Sequence, residues 1–540
     1  MPNLNAASKT APYLRRVLTR VVTQTDRLGL WIVAALLGDI LVVGIVRAQY
    51  KPLWLDEIMG LLIAKLPVGA DIWAICKSGA DNQPPLYHYA MRASVRLLGN
   101  DALGMRVPSV IGYALFCLCL YWFVSRRTSR LYGLIAMLVP GLTHCWYYAT
   151  EGRPYALILA CAGLSAVCWQ GVVMDRRRWL MLVGFGLSLA CAINLHYYAV
   201  LLFLPFAIAE TVRTYQRRKP DFPVWLALTA PLLILLVYVP VIRASKVNSG
   251  IPGAFFAKPA WYGSLLRFFG EFLGPSLIGL VSLGCIYLAV QFFWRPSTTE
   301  LGRCPTANPR DLMPEASLVL SFTCIPVFAI ALSKFGTHIF FTRYGIAGMF
   351  GFAALLGLGT WFAFLGRKGP ALAVAAAFAA LFLHNQIQHD LPEVRAERAN
   401  PARVSIPHRI PALAQRDSLP IVATNLDDFM QLSYYGNSTL RKRLFYVSSE
   451  AFAKQYLGFT FHERMMIGAA PFFKTQVVAY SAFIKEHPSF YVFGSLEFSQ
   501  WVVPKLIEDH AKLQLLQGGP ADVYGDFADV FLLAQIPANS

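Results

Sequence analysis

Trp54-Leu-Asp-Glu57 sets two carboxylates side by side, and the chain returns to mixed acids and bases in Asp81-Asn-Gln-Pro-Pro-Leu-Tyr-His88 and in Glu151-Gly-Arg-Pro-Tyr155. A carboxylate can take the proton of an alcohol, a poor nucleophile until then, provided the alcohol is held beside it. Adjacent helical residues diverge by about 100°, so the two acids face different neighbours. Asp56 is the candidate base and Glu57 the candidate orienting partner; a solvated acidic pair is the alternative. In the second motif two prolines stop one helix and start another, leaving Asn82 and Gln83 at a helix start with His88 following. That start, with Arg92, Arg96 and Arg106 nearby, suits an anionic head group, or is a plain interfacial turn with snorkelling arginines. Glu151 can position a sugar hydroxyl or a metal, and Arg153 can bind substrate or form a local ion pair.

Composition decides where such residues must work. Of 540 residues 56% are hydrophobic and 14% charged, against roughly a quarter charged in soluble domains, and the mean hydropathy is +0.48. A water-soluble globule is excluded, as are disorder and a collagen-like chain, because 39 Gly and 33 Pro are ordinary shares. The ten cysteines include no CxxC and none follows Cys324, which argues against disulfides and thiolate metal sites. A polytopic membrane protein remains.

Apolar runs long enough to approach the ~20 residues of a spanning helix lie at Leu28–Val46, Val107–Val124, Leu131–Tyr148, Tyr155–Val173, Trp179–Ile193, Tyr197–Val212, Val224–Ile242, Phe272–Phe293, Ala316–Leu332, Gly345–Leu365 and Pro370–His384. These make about eleven spans. The net charge of +18 is carried largely by the N-terminal segment and by alternate short connections such as Arg126-Arg127, Arg176–Arg178 and Arg213–Lys219. Basic connections stay in the cytoplasm, so the charge reports orientation and no nucleic-acid partner. The N-terminus is then cytoplasmic, and residues 386–540 lie on the opposite side. The expected fold is an all-α polytopic membrane domain, 1–385, with a long first outer loop at 47–106, followed by a soluble periplasmic α/β domain at 386–540. The second domain is read from strand-like runs such as Pro420–Thr424 and Ser489–Phe493 between helical stretches. Its sequence shows no catalytic constellation.

The same outer face collects Asp56, Glu151 and Arg153, His196 and Tyr197, and Lys334, His338 and Arg343. The order of these pieces, with Arg106-Val-Pro-Ser109, Asn194-Leu-His-Tyr-Tyr198 and Thr342-Arg-Tyr344, resembles the GT-C superfamily of membrane glycosyltransferases. The likeness is to bacterial protein O-mannosyltransferase-like and lipopolysaccharide-sugar transferases, and it is stronger over Leu28–Tyr198 than beyond. The resemblance implies transfer of a sugar from a polyprenyl-phosphate donor to an acceptor hydroxyl, usually with inversion, in a bacterial inner membrane. It implies Asp56 as general base, with Glu151 as the second-loop acid and Glu57 beside them. Arg106 and Arg343 are implied as phosphate ligands, to which sidedness adds Lys334 and His338. Gln83, His88, Arg153, His196 and Tyr197 are the expected substrate-binding residues. Relatives that transfer aminoarabinose carry Glu-Lys-Pro where this chain has Asn82-Gln83-Pro84, which puts that sugar in doubt.

A divalent cation, Mg or Mn, is an open expectation: His144, His196, Glu57 and Glu151 have suitable side chains, but their spacing is not that of a metal motif. The partners expected are the donor, membrane lipid, and a glycan, lipid or protein acceptor. Asp39, a carboxylate inside the first span, feeds a rival reading as a secondary transporter or flippase. A scaffold whose outer domain binds a partner is a third.

Overall fold

The computed structural model describes residues 4–81, 83–249, 260–274, 277–278, 284, 309–399, 417–495, 500–521 and 528–537. Helix α1 (Leu4–Tyr50) carries the first apolar run. Seven helices are long and apolar enough to cross a membrane, eight if the bent pair Leu312–Thr323 and Ile325–Thr337 is one span. The chain is a multi-pass membrane protein. Two runs read as spans are shorter here. Leu131–Tyr148 is broken at Pro140 into Arg130–Leu138, a 3-10 turn and Cys145–Ala149, because proline lacks the N–H that continues a helix. Gly345–Leu365 yields the 16-residue helix Gly348–Ala363. Most of Phe272–Phe293 lies outside the described residues. The last long helix does not end at 385; it runs from Lys368 to Ala399 through one wide turn at Gln386–Asp390.

Between the first two spans lie three short helices, α2 (Leu55–Ala64), α3 (Gly69–Lys77) and α4 (Pro85–Leu98). Proline at the first position of α4 needs no N–H there, and Gly99, at φ 61°, closes its end in the left-handed conformation that glycine adopts without strain. Helix α5 (Asp101–Ser125) starts on Asn100, whose side chain accepts the Leu103 N–H at 3.0 Å. Helix α6 (Tyr155–Val173) packs along α5 and begins directly after the Glu151–Pro154 turn.

The C-terminal part is a six-stranded sheet, in chain order β1 (Ile421–Ala423), β2 (Leu444–Ser448), β3 (Val477–Ala479), β4 (Ser489–Ser495), β5 (Lys512–Ala521) and β6 (Ala528–Gln535). Its spatial order is β3-β2-β1-β4-β6-β5, parallel from β3 to β4 and antiparallel at β6 and β5. Parallel neighbours need crossovers that cover the faces. Helices α7 (Leu426–Tyr435) and α8 (Phe461–Phe473) serve in these connections. One face of the sheet has its own core, with Val422, Val492 and Leu506. The other shares a core with the first loop: Ile58, Leu61, Ile72 and Tyr87 join Phe429, Met466 and Tyr491 in one apolar cluster. This shared core sets α7 and α8 over the loop that carries the acidic motif.

Candidate functional site

The start of α2 turns its two carboxylates apart, as the helical angle requires. Glu57 goes inward and is fully buried. It receives Arg106 Nε–H at 2.8 Å and Nη2–H at 2.5 Å, the Gly152 N–H at 2.5 Å, and the N–H of Trp54 at 3.4 Å. Burial alone would raise its pKa, but Arg106 and these donors hold it below the usual carboxylate range. Arg106 is fully buried too, and its remaining N–H groups donate to the carbonyls of Ala48, Lys51 and Pro52. The pair pins α2 to α5 and to the second loop.

Glu151 lies beside this pair, also buried. It pairs with the Lys51 ammonium and accepts Trp54 Nε1–H at 2.5 Å. Burial raises its carboxyl above the usual range in spite of Lys51. Glu151, Glu57 and Arg106 therefore stand behind the site. None of them lines the cavity in front. Glu57 thus holds a partner, as its place beside Asp56 suggests, while Glu151 and Arg106, expected at the sugar and at a phosphate, stand behind the cavity, the Arg106 guanidinium already engaged by a carboxylate and three carbonyls.

Asp56 turns the other way, into a cavity of about 120 Å³ walled also by Asp81, Gln83, Arg153, Tyr155, Arg343 and Tyr344. Its side chain is 29% exposed and lies 3.3 Å from Arg153 Nη2. Asp81 pairs with buried His88 at 3.2 Å and caps the turn by accepting the Gln83 N–H at 2.7 Å. Burial would raise the Asp81 carboxyl, yet His88 and Arg153 hold it low. Arg343 has no ion-pair partner among the described residues; its guanidinium lies over the rings of Phe341, at 4.3 Å, and Tyr155, at 5.7 Å. Rings attract a cation while leaving its N–H groups available to an anion.

The other expected residues scatter. His88 is one layer behind the cavity, through Asp81. His196 lines a smaller adjoining pocket with Tyr155, Arg343 and Tyr344, and burial pushes its pKa down to about 3. Tyr197 packs on Tyr238, with ring centroids 6.0 Å apart, off the cavity wall. Lys334 and His338 are exposed and do not line it. Asn82 lies outside the described residues. Among the described residues no three His, Cys, Asp or Glu side chains gather as a metal site would need. Glu57 and Glu151 already have cationic partners and His144 stacks on Tyr147 at 4.9 Å, so the four residues considered for a cation do not form a site. Asp39 accepts a hydrogen bond from Gln386 at 2.9 Å, which gives this carboxylate a partner on the last long helix.

Residues 82–243 match the family of dolichyl-phosphate-mannose-protein mannosyltransferases. ArnT from Cupriavidus metallidurans bound to undecaprenyl phosphate is similar over 93% of this chain and 98% of its own, at 15% identity and a TM-score of 0.53. Its apo form gives 16% identity and 0.50, over 95% and 98%. The chain has the ArnT fold. An Archaeoglobus fulgidus oligosaccharyltransferase is similar at 11% identity and a TM-score of 0.39, over 86% of this chain and 70% of its own. No curated protein matches the chain in sequence.

Within this fold, sequence reasoning overlooked Asp81 as a wall residue, although it had its motif, and overlooked Tyr155 and Tyr344. It also missed the contribution of α8: Phe461, His462 and Met465 close the cavity from the C-terminal side, with Leu426 of α7. No local spacing announces them. The signal that could have found them is three-dimensional, the apolar face that α7 and α8 share with the first loop.

Proposed function

We propose that the protein is an integral membrane glycosyltransferase that moves a sugar from a polyprenyl-phosphate-linked donor to a hydroxyl of a cell-envelope acceptor, with inversion. The observation that carries the reading is the meeting in one cavity of a carboxylate just beyond the first span, Asp56, with a guanidinium that has no ion-pair partner among the described residues, Arg343. In this reaction the acceptor oxygen bonds to the anomeric carbon as the bond to the phosphate oxygen breaks. The acceptor proton passes to Asp56, and the charge left on the phosphate is met by Arg343 and Arg153. Glu57, Arg106, Glu151 and Lys51 hold α2 so that Asp56 keeps its aim. We place the reaction at the periplasmic face of a bacterial inner membrane, with the N-terminus cytoplasmic and the sheet-bearing part as a periplasmic domain. The family match and the ArnT-like fold support the donor class.

The test is mass spectrometry of envelope glycans, lipids and proteins from cells with and without the gene, joined to transfer assays with the purified chain and undecaprenyl-phosphate sugars. A sugar that depends on the gene, and that D56N fails to add while accumulating normally in the membrane, is the expected result. Substrate flux without any glycosylated product would overturn the reading in favour of a transporter.

A further inference from the structure

A second cavity, of about 520 Å³, lies along the same segment that leads into Asp56. It sits at the ends of three long helices. Gln49 and Tyr50 close α1, Asp101 opens α5, and Glu397 stands near the end of the helix that runs to Ala399. Tyr434 and Tyr435 of α7 wall it from the C-terminal part. The two cavities have two walls in common. Lys51, Pro52 and Leu53 line this one, and Leu55 and Asp56 line the other; α7 gives its two tyrosines to this one and Leu426 to the other. At about 1.5 Å per helical residue, the walls that α7 supplies are about 12 Å apart.

The polar groups of this cavity are fixed by bonds that leave part of each one's capacity over. Tyr435 Oη accepts the Leu53 N–H at 2.7 Å and keeps its own proton to donate. Asn100 uses its side-chain oxygen on the Leu103 N–H at 3.0 Å, which leaves its NH2 group. Asp101 takes Lys65 Nζ at 2.6 Å and the Tyr434 O–H at 2.8 Å on Oδ2, which leaves Oδ1. The two tyrosine rings stand edge to face, with centroids 4.7 Å apart, and Gln431 of the same helix donates to the Leu53 carbonyl at 3.0 Å. The rings are therefore held in position before any ligand arrives. Donors and acceptors set close together beside aromatic faces match a sugar, which carries hydroxyls around its ring and C–H groups on its faces. Eight of the twelve described wall residues have hydrogen-bonding side chains, and an acyl chain would leave such groups unsatisfied.

We propose that this cavity is a second carbohydrate-binding site, apart from the reaction cavity, that holds sugar units of a glycan-bearing acceptor and so concentrates it near Asp56. Its purpose rests on the glycosyl-transfer reading; the binding itself is measured without turnover. The test uses the full-length chain in nanodiscs, free of sugar detergents, with mannobiose and cellobiose as probes in saturation-transfer NMR. Q49W fills the cavity from an exposed position at the end of α1, and E397A removes an acceptor from its rim. Wild type should saturate the protons of at least one disaccharide, and each variant should at least halve that signal. Where a gene-dependent product is available, E397A should also raise the KM for acceptor by about tenfold, the worth of one hydrogen bond to a charged group, with kcat and undecaprenyl phosphate binding within twofold of wild type. No saturation by wild type, or equal saturation by wild type and both variants, overturns the site. So does saturation of ethanolamine in place of the sugars, since the tyrosines and Glu397 would then serve an ammonium group. Loss of undecaprenyl phosphate binding by both variants overturns it too, because this wall would then serve the donor or the fold. If no glycosylated product forms while both variants still lose the disaccharide signal, the transfer reading falls and the carbohydrate site stands.

Discussion

The two sides of α2 carry nearly the same chemistry and differ in how completely it is satisfied. Behind the helix, Glu57 and Arg106 are buried, paired and hydrogen-bonded on every side. In front, Asp56 keeps part of its surface open and Arg343 has ring faces but, among the described residues, no ion-pair partner. A buried pair with every lone pair and proton engaged holds geometry and has nothing left to offer a substrate. The incomplete pairing in front is where a hydroxyl and a phosphate can enter. Sequence sets Asp56 beside Glu57 as acids of the reaction and Arg106 beside Arg343 as phosphate ligands; three-dimensional saturation divides each pair.

The division can be broken most sharply at Asp56. D56N keeps the shape and removes the base, so transfer should fall by about 10²–10⁴ with membrane levels unchanged. The rear pair should respond in the opposite way. R106L leaves Glu57 buried without its cation, a defect worth about 3–5 kcal/mol, and its effect should appear as lost folded protein in detergent stability assays; residual folded enzyme should keep the wild-type KM for donor. R343Q should weaken undecaprenyl phosphate binding by about tenfold or more, consistent with the ~1.5–3 kcal/mol of a hydrogen bond to a charged group, without a change in melting temperature. G152A should be milder. Its Cβ would stand 3.0 Å from Glu57 Oε1 and 2.9 Å from Met105 Cβ, and overpacking of this kind costs about 1–3 kcal/mol.

The smallest effect concerns an acid with no ion-pair partner among the described residues. Glu463 is buried, with Trp501 Nε1–H at 2.9 Å and Tyr446 OH at 3.2 Å as donors, and burial raises it to about 7 from 4.5. A carboxyl raised in the folded state binds its proton more tightly there than when unfolded. Stability from this group is therefore present at low pH and is lost as pH rises from about 4.5 through about 7. E463Q should flatten that part of the melting-temperature profile. A wild-type profile that rises over the same interval, and is unaffected by the substitution, would show that Glu463 is not protonated in the fold.

Much of the membrane architecture was legible because a run of apolar residues near spanning length has few alternatives in lipid. Pro140 shows the limit: the run around it is apolar, but backbone chemistry breaks the helix. At the site, the divergence of Asp56 and Glu57 followed from helical geometry alone. Arg106 did not, because its role depends on the carbonyls of Ala48, Lys51 and Pro52, which end one helix and precede another. Glu151 was hidden for the same reason, since Lys51 and Trp54 reach it from about a hundred residues away. His462 is harder still. A single histidine on a short helix has no pattern of its own, and only the sheet order and the shared core bring it to Asp56.

That shared core also has a consequence in time. Ile58 and Leu61 are made early, and the partners that cover them, Phe429 and Met466, emerge some four hundred residues later. At about 5–20 residues per second, the first loop waits tens of seconds for its cover. During that interval the nascent chain displays bare apolar surface. The reaction chamber closes only as synthesis nears completion, so a stalled ribosome would leave behind an idle protein and no half-working transferase.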